Sequence, residues 1–179
     1  MRGPIDVTRD LLAADVPHEI VHLRRRIDDA AELPGVLGLP SRACLAVRLY
    51  DDDTRLLAAL VTAGRTAATT ALARAAGTRV VRPTHPDKVS AVTDSHPSLV
   101  APVGLPAGVL VLADAGLREQ EVVYAPTGDG STALKIRAAD LLALTGATVA
   151  PLVEPGADAD PAWQAAEGAG RVESRVARH

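Results

Sequence analysis

Phenylalanine is absent from this chain of 179 residues, and one Trp and two Tyr make up its aromatic content. Its core must therefore be built from Ala, Val and Leu. A platform of stacked aromatic rings for single-stranded nucleic acid is nearly excluded. Lysine is scarce too: Lys88 and Lys135 stand against a large excess of arginine. That bias, with abundant Ala, suggests a GC-rich bacterial genome. Cys44 is the single cysteine, which excludes an internal disulfide framework and a thiolate metal cluster. Its neighbours Ala43, Leu45, Ala46 and Val47 are apolar and suit a buried, inert thiol. No segment approaches the length of a membrane span, and the first residues lack the apolar stretch of a secretion signal. The expectation is a cytoplasmic protein.

What is present suits one domain with a real core: the hydrophobic fraction is 47%. The net charge of -3 gives little overall attraction for a polyanion but leaves room for a local basic patch. Arg24-Arg25-Arg26 is the strongest basic run.

Helical spacing of Val7, Leu11, Leu12 and Ala14 predicts a first helix, stopped before Pro17. A strand is expected over His18–Leu23 and a short helix over Asp28–Leu33, ended by Pro34-Gly35. Arg42–Tyr50 and Arg55–Thr62 read as a hairpin around Asp51-Asp52-Asp53. Thr66–Ala76 is a helix capped by Gly77, and Arg79–Arg82 a short strand. Thr84 and Asp87 resemble a capping box for a helix running to Val92. Strands over Val109–Ala113 and Glu121–Tyr124 follow. The turn Thr127-Gly128-Asp129-Gly130-Ser131 leads to a partner strand, Thr132–Ile136, and a helix spans Ala138–Leu144. Short strands mixed with short helices, without regular alternation, argue for an α+β domain. The composition shifts after Glu154. Residues 1–153 are read as the domain, and 154–179 as a linker and tail.

Thr93–Gly104 is a structured loop, with two prolines, hydroxyls beside a histidine and a closing glycine. Ligand chemistry collects on such loops. Asp94, His96 and Ser98 are close enough for a cramped triad, although exposed polar loop residues are the plainer account. His85 and His96 lack the carboxylate spacing of a metal site. His18 and His22 share one face of a strand. The Gly128-Asp129-Gly130 turn lacks the spacing and lysine of a phosphate loop and reads as a hairpin turn.

The order of these pieces resembles the YbaK/ProX family of aminoacyl-tRNA deacylases across residues 8–153. The carrying residues begin with a strand ending at His22. Next come the hairpin strand Ala43-Cys44-Leu45-Ala46-Val47-Arg48-Leu49 and the helix end Leu72–Gly77. Thr93-Asp94 and Ser98–Gly104 fit the family's substrate loop, which runs through Gly-x-x-x-Pro. Asp114, Leu117, Gly128-Asp129-Gly130, Leu134-Lys135-Ile136 and Ala139–Leu142 complete the series.

The resemblance implies a mixed, barrel-like β-sheet core flanked by short helices, and hydrolysis of a mischarged small amino acid from tRNA. It implies no cofactor or metal, and a tRNA acceptor end as partner. A water ordered by Thr93, His96 or Ser98 would attack. His22, Cys44, Leu45, Val100, Ala101, Pro102, Gly104, Gly128 and Asp129 would surround the substrate. Arg24-Arg25-Arg26 is then either a solvated turn or a contact to the tRNA backbone. Arg171, Arg175 and Arg178 would add to that contact if the tail were helical.

Two positions depart from the family. Its lysine falls at Leu45, or at Cys44 with a one-residue shift, and the first glycine of Gly-x-x-x-Pro falls at Ser98. The family's lysine is implied to hold the terminal adenosine or its phosphate. Strand alternation puts Arg48 on the face opposite Leu45, which argues against its replacing that lysine. Ser98 adds bulk and a hydroxyl where a glycine lets a ligand approach. These changes leave a second reading open: a divergent member that binds or converts another aminoacyl or acyl compound, for instance in specialised biosynthesis.

Overall fold

The computed structural model describes residues 1–153. Helix α1 (Pro4–Ala13) opens the chain, with Pro4 in its first turn, where a missing N–H costs nothing. Strand β1 (His18–His22) follows. A 3-10 turn, Ala30–Glu32, runs into α2 (Leu33–Leu37). The hairpin strands β2 (Leu45–Asp51) and β3 (Leu56–Thr62) come next, then α3 (Thr69–Ala76). Strand β4 (Arg82–Pro83) precedes α4 (Pro86–Thr93). The chain continues through β5 (Leu110–Asp114), β6 (Val122–Pro126), β7 (Thr132–Arg137), α5 (Ala138–Thr145) and β8 (Thr148–Ala150).

The strands form two sheets. One is antiparallel, in the order β1-β7-β6; the other is mixed, in the order β4-β2-β3-β5-β8. In the mixed sheet β2 pairs antiparallel with β3, while β3–β5 and β5–β8 are parallel. An isolated bridge between Cys44 and Tyr124 links the sheets at one point. The α+β class holds, but no closed barrel forms among the described residues, because backbone pairing between the two sheets is confined to that bridge.

Alternation along β2 and β3 divides the core. Leu45, Val47, Leu49, Ala58 and Leu60 face the antiparallel sheet, where Leu134 and Ile136 of β7 and Val7 and Leu11 of α1 meet them. Tyr50, Leu57, Ala59 and Val61 face the other way, against Leu72 of α3, with Leu112 and Leu152. A third cluster gathers Ile27, Leu33, Val36, Cys44, Ala46, Leu99 and Ala133 where the segment after β1 wraps the start of β2. No helix among the described residues is long and apolar enough to cross a membrane.

Several local readings shift. Pro34 does not end a helix but lies in the first turn of α2, and Gly38 closes that helix at φ +67°. Residues 41–43 form a 3-10 turn, so β2 starts at Leu45. Of the strand expected over Arg79–Arg82 only Arg82 pairs with β2, together with Pro83 beyond it; Pro83 has no N–H to donate and belongs at a sheet edge. The residue capping α4 is His85, whose ring accepts the Asp87 N–H at 3.3 Å. The Thr84 hydroxyl instead donates to Asp51 Oδ2 at 3.1 Å. Residues 154–179, including Trp163 and the three tail arginines, lie outside the described residues.

Candidate functional site

A cleft of about 300 Å³ opens between β2, the β4–α4 segment and the first half of the Thr93–Gly104 loop. Strand β2 contributes Arg48, Leu49 and Tyr50, and the turn after β3 contributes Thr66. Pro83, Thr84, Pro86 and Val89 form one wall, and Pro97 and Ser98 face them from the loop. The floor is apolar and the polar groups are few and convergent, which is the usual make-up of a ligand site.

Arg48 supplies the cation. Its Nη2 donates to Asp29 Oδ1 at 3.0 Å and Oδ2 at 3.4 Å. Asp29 is itself fixed, because Oδ1 also accepts the Ala31 N–H at 2.8 Å and caps the 3-10 turn. The guanidinium is thus aimed by a carboxylate while two-thirds or so of its side chain is withdrawn from solvent (32% exposed). Arg48 and Leu45 do lie on opposite faces of β2, as alternation requires. The conclusion drawn from that alternation inverts: the Leu45 face is the core, and the Arg48 face is the cleft. Burial pushes the Tyr50 hydroxyl above its ordinary value, against the opposing pull of Arg48.

Ser98 is held by its backbone. Its N–H donates to His96 Nδ1 at 3.3 Å, and its carbonyl accepts the Ala30 N–H at 3.0 Å. Ser98 lines the cleft, and its hydroxyl has no hydrogen-bond partner among the described residues.

The other sequence-nominated residues scatter. Thr93 is buried and its hydroxyl donates to the Val89 carbonyl at 2.7 Å, inside α4. His96 is exposed, and Asp94 forms an ion pair with the N-terminal ammonium at 2.9 Å rather than meeting His96 in a triad. Val100 and Ala101 are buried in the core. Pro102 and Gly104 border a separate cavity of about 250 Å³ with Asp10, Val109 and Leu144. His22 is exposed at the end of β1, paired in register with Thr132.

Cys44 and Leu45 are fully buried, and burial pushes the Cys44 thiol up to about 12. Gly128 adopts φ +100°, and a Cβ there would lie 2.5 Å from the Arg2 carbonyl oxygen. Its glycine serves the crossing of the N-terminal segment. Asp129 turns inward on its own loop: Oδ1 accepts from the N–H and hydroxyl of both Ser131 and Thr132. Partial burial raises its carboxyl, but those hydrogen bonds outweigh burial and hold it below the ordinary value.

The cleft thus unites Ser98 with Arg48, Thr66, Tyr50 and Thr84, which the sequence had not nominated. The alternating pattern of β2 carried the signal for Arg48; only the choice of inner face was needed. Thr66 and Thr84 left no such signal.

Fold and cleft together define an α+β domain whose mixed sheet carries a cation-bearing pocket near one edge. Residues 25–144 match the aminoacyl-tRNA editing domain family, and the chain belongs to it. This is the YbaK/ProX resemblance read from the sequence. No curated protein sequence matches the chain. The solved structure of hypothetical protein APE2540 is similar at TM-score 0.77 and 21% identity, over 83% of this chain and 99% of its own. That of a proposed trans-editing enzyme for prolyl tRNA synthetase is similar at TM-score 0.73 and 23% identity, over 83% and 95%. A proposed signal transduction protein from Marinobacter aquaeolei VT8 shares the fold over 87% of this chain but 32% of its own, at TM-score 0.65 and 20% identity.

Proposed function

We propose that this chain removes a small, wrongly attached amino acid from tRNA, and that the cleft beside Arg48 and Ser98 receives the aminoacyl end. The carrying observation is the convergence of a guided guanidinium and a loop hydroxyl on one small apolar pocket, in a chain of the editing-domain family. Arg48 suits a phosphate or ribose of the terminal nucleotide, since a guanidinium binds such oxygens through a fixed fork of donors. The size of the cleft suits a short side chain.

The chemistry is ester hydrolysis. A water oxygen attacks the carbonyl carbon, and the tetrahedral intermediate collapses with cleavage of the bond to the ribose oxygen. That oxygen takes up a proton, and the amino acid leaves as its carboxylate. Ser98 Oγ is the group we assign to orienting the water. Val100 and Ala101, read from the sequence as walls of the substrate loop, are packed into the core away from this cleft and are left out of the scheme. Thr93 is engaged within α4 and is left out of this scheme, and His96 acts through the backbone of Ser98.

The test is to incubate the purified chain with tRNAs charged with Ala, Ser, Cys or Pro and follow amino-acid release. Accelerated release from at least one of them is expected. No acceleration over buffer with any would overturn the reading. Ser98 in place of the family's glycine favours the second reading, a member that takes another acyl compound. In that case Ser98→Gly would create deacylation that the natural chain lacks.

A further inference from the structure

The two ends of the β2–β3 hairpin carry charge differently. At the turn end, Asp51, Asp52 and Asp53 each hold a cation: Lys88 at 2.9 Å, Arg55 at 3.1 Å and Arg82 at 2.9 Å. At the open end the arginines are not so held. Arg42 lies in the 3-10 turn that enters β2, and Arg65 in the turn that leaves β3, beside Thr66 of the cleft. Leu45 and Thr62 pair there, and so bring the two turns together.

Three backbone bonds fix the segment that carries Arg24 and Arg26 against the turn before β7 and the cleft loop, and its Ile27 shares a core cluster with Cys44 and Ala63 at the open end of the hairpin. The Leu23 N–H donates to the Ser131 carbonyl at 2.9 Å, the Ile27 N–H to the Gly130 carbonyl at 2.8 Å, and the Ala30 N–H to the Ser98 carbonyl at 3.0 Å. Ile27, Cys44 and Ala46 then pack into one cluster beneath them. Among the described residues Arg24, Arg26, Arg42 and Arg65 make no ion pair, whereas Arg25 is held by Glu32 at 2.6 Å. The chain that follows the basic segment is thus tied, through Ala30, to Ser98 of the cleft.

We infer that this end of the hairpin is a docking track for the phosphate backbone of RNA. The strand would approach the cleft over Arg24, Arg26, Arg42 and Arg65, with its end at Arg48. The inference rests on the tRNA reading of the cleft and adds the direction of approach. The chain's net charge of -3 gives no general attraction for RNA. The contact therefore depends on these few side chains, and its salt dependence counts them.

The experiment uses the full chain and two probes. The first is an uncharged acceptor-stem RNA hairpin, titrated by fluorescence anisotropy over a range of salt. The second is charged tRNA beside an aminoacylated adenosine, followed by amino-acid release. Arg24→Ala with Arg26→Ala is expected to reduce the slope of log affinity against log salt by about one per arginine. The same pair should raise KM for charged tRNA on the order of tenfold, with hydrolysis of aminoacyl-adenosine unchanged. Arg118→Ala with Arg137→Ala is the control; both line a groove beside α5 and β8, at the far edge of the sheet. Equal hairpin binding by all variants, or an equal loss in the control pair, overturns the track. If hairpin binding falls only in the Arg24/Arg26 variant but no charged tRNA is hydrolysed, the track stands and the deacylase reading falls.

Discussion

The loop Thr93–Gly104 and the turn Thr127–Ser131 look alike in sequence: both are short, rich in small and polar residues, and contain glycine. In the fold they serve different ends. The turn is occupied with itself and with the N-terminal segment. Asp129 gathers the N–H and hydroxyl groups of Ser131 and Thr132, Thr127 and Thr132 share a hydrogen bond of 2.7 Å, and Gly128 makes room for Arg2. The loop is divided at Leu99. Pro97 and Ser98 face the cleft, while Leu99, Val100 and Ala101 are packed into the core. A polar, glycine-bearing loop is therefore a site only where its side chains are left with unspent hydrogen-bonding capacity facing a cavity.

That contrast can be broken at three places. The largest effect is expected at the buried half of the loop. Leu99→Ala should cost about 2–5 kcal/mol of stability in urea unfolding, with kcat per folded molecule little changed. A loss of activity without a loss of stability would put Leu99 on the wrong side of the division. Next is Ser98→Ala, which removes the free hydroxyl and keeps the backbone bonds to His96 and Ala30. Deacylation should fall on the order of tenfold while the unfolding midpoint stays within the scatter of surface substitutions. An unchanged rate would mean that Ser98 only shapes the wall.

The smallest effect concerns the turn. Asp129 sits below its usual value when folded. Its contribution to stability is therefore complete above the ordinary carboxylate value, near pH 4, and is lost as pH falls from there through the lowered folded value. Asp129→Asn should flatten that part of the acid unfolding curve and leave deacylation at neutral pH unaltered. A change in KM instead would draw the turn into the substrate site.

Much of this fold can be read from the chain. The hairpin, the helix closed by Gly77 (φ +69°) and the loop position follow from apolar periodicity and turn residues. What could not be read depends on partners distant in sequence. Thr84 could have capped α4, but Asp51, across the sheet, takes its hydroxyl. Cys44 and Leu45 look like a strand entering a pocket until α1 and β7 cover Leu45 and the segment after β1 covers Cys44. Arg48 was visible as a cation with the right alternation, yet which face of β2 is wet is decided by which sheet covers the other. Ser98 alone of the nominated catalytic residues lines the cleft, because the chain turns there and presents Pro97 and Ser98 before diving inward.

Asp114 is the last residue of β5, and its carboxylate does more than end a strand. Oδ2 accepts the Gly116 N–H at 3.0 Å, while Oδ1 accepts the N–H groups of Leu152 at 2.8 Å and Val153 at 3.1 Å. Leu152 is fully buried as a plug between α3 and the mixed sheet. The domain therefore has a fixed tether point. A fusion or truncation made after Val153 keeps both the staple and the plug. One made after Ala150 leaves a carboxylate oxygen without its two donors and an empty leucine-sized hole beneath α3.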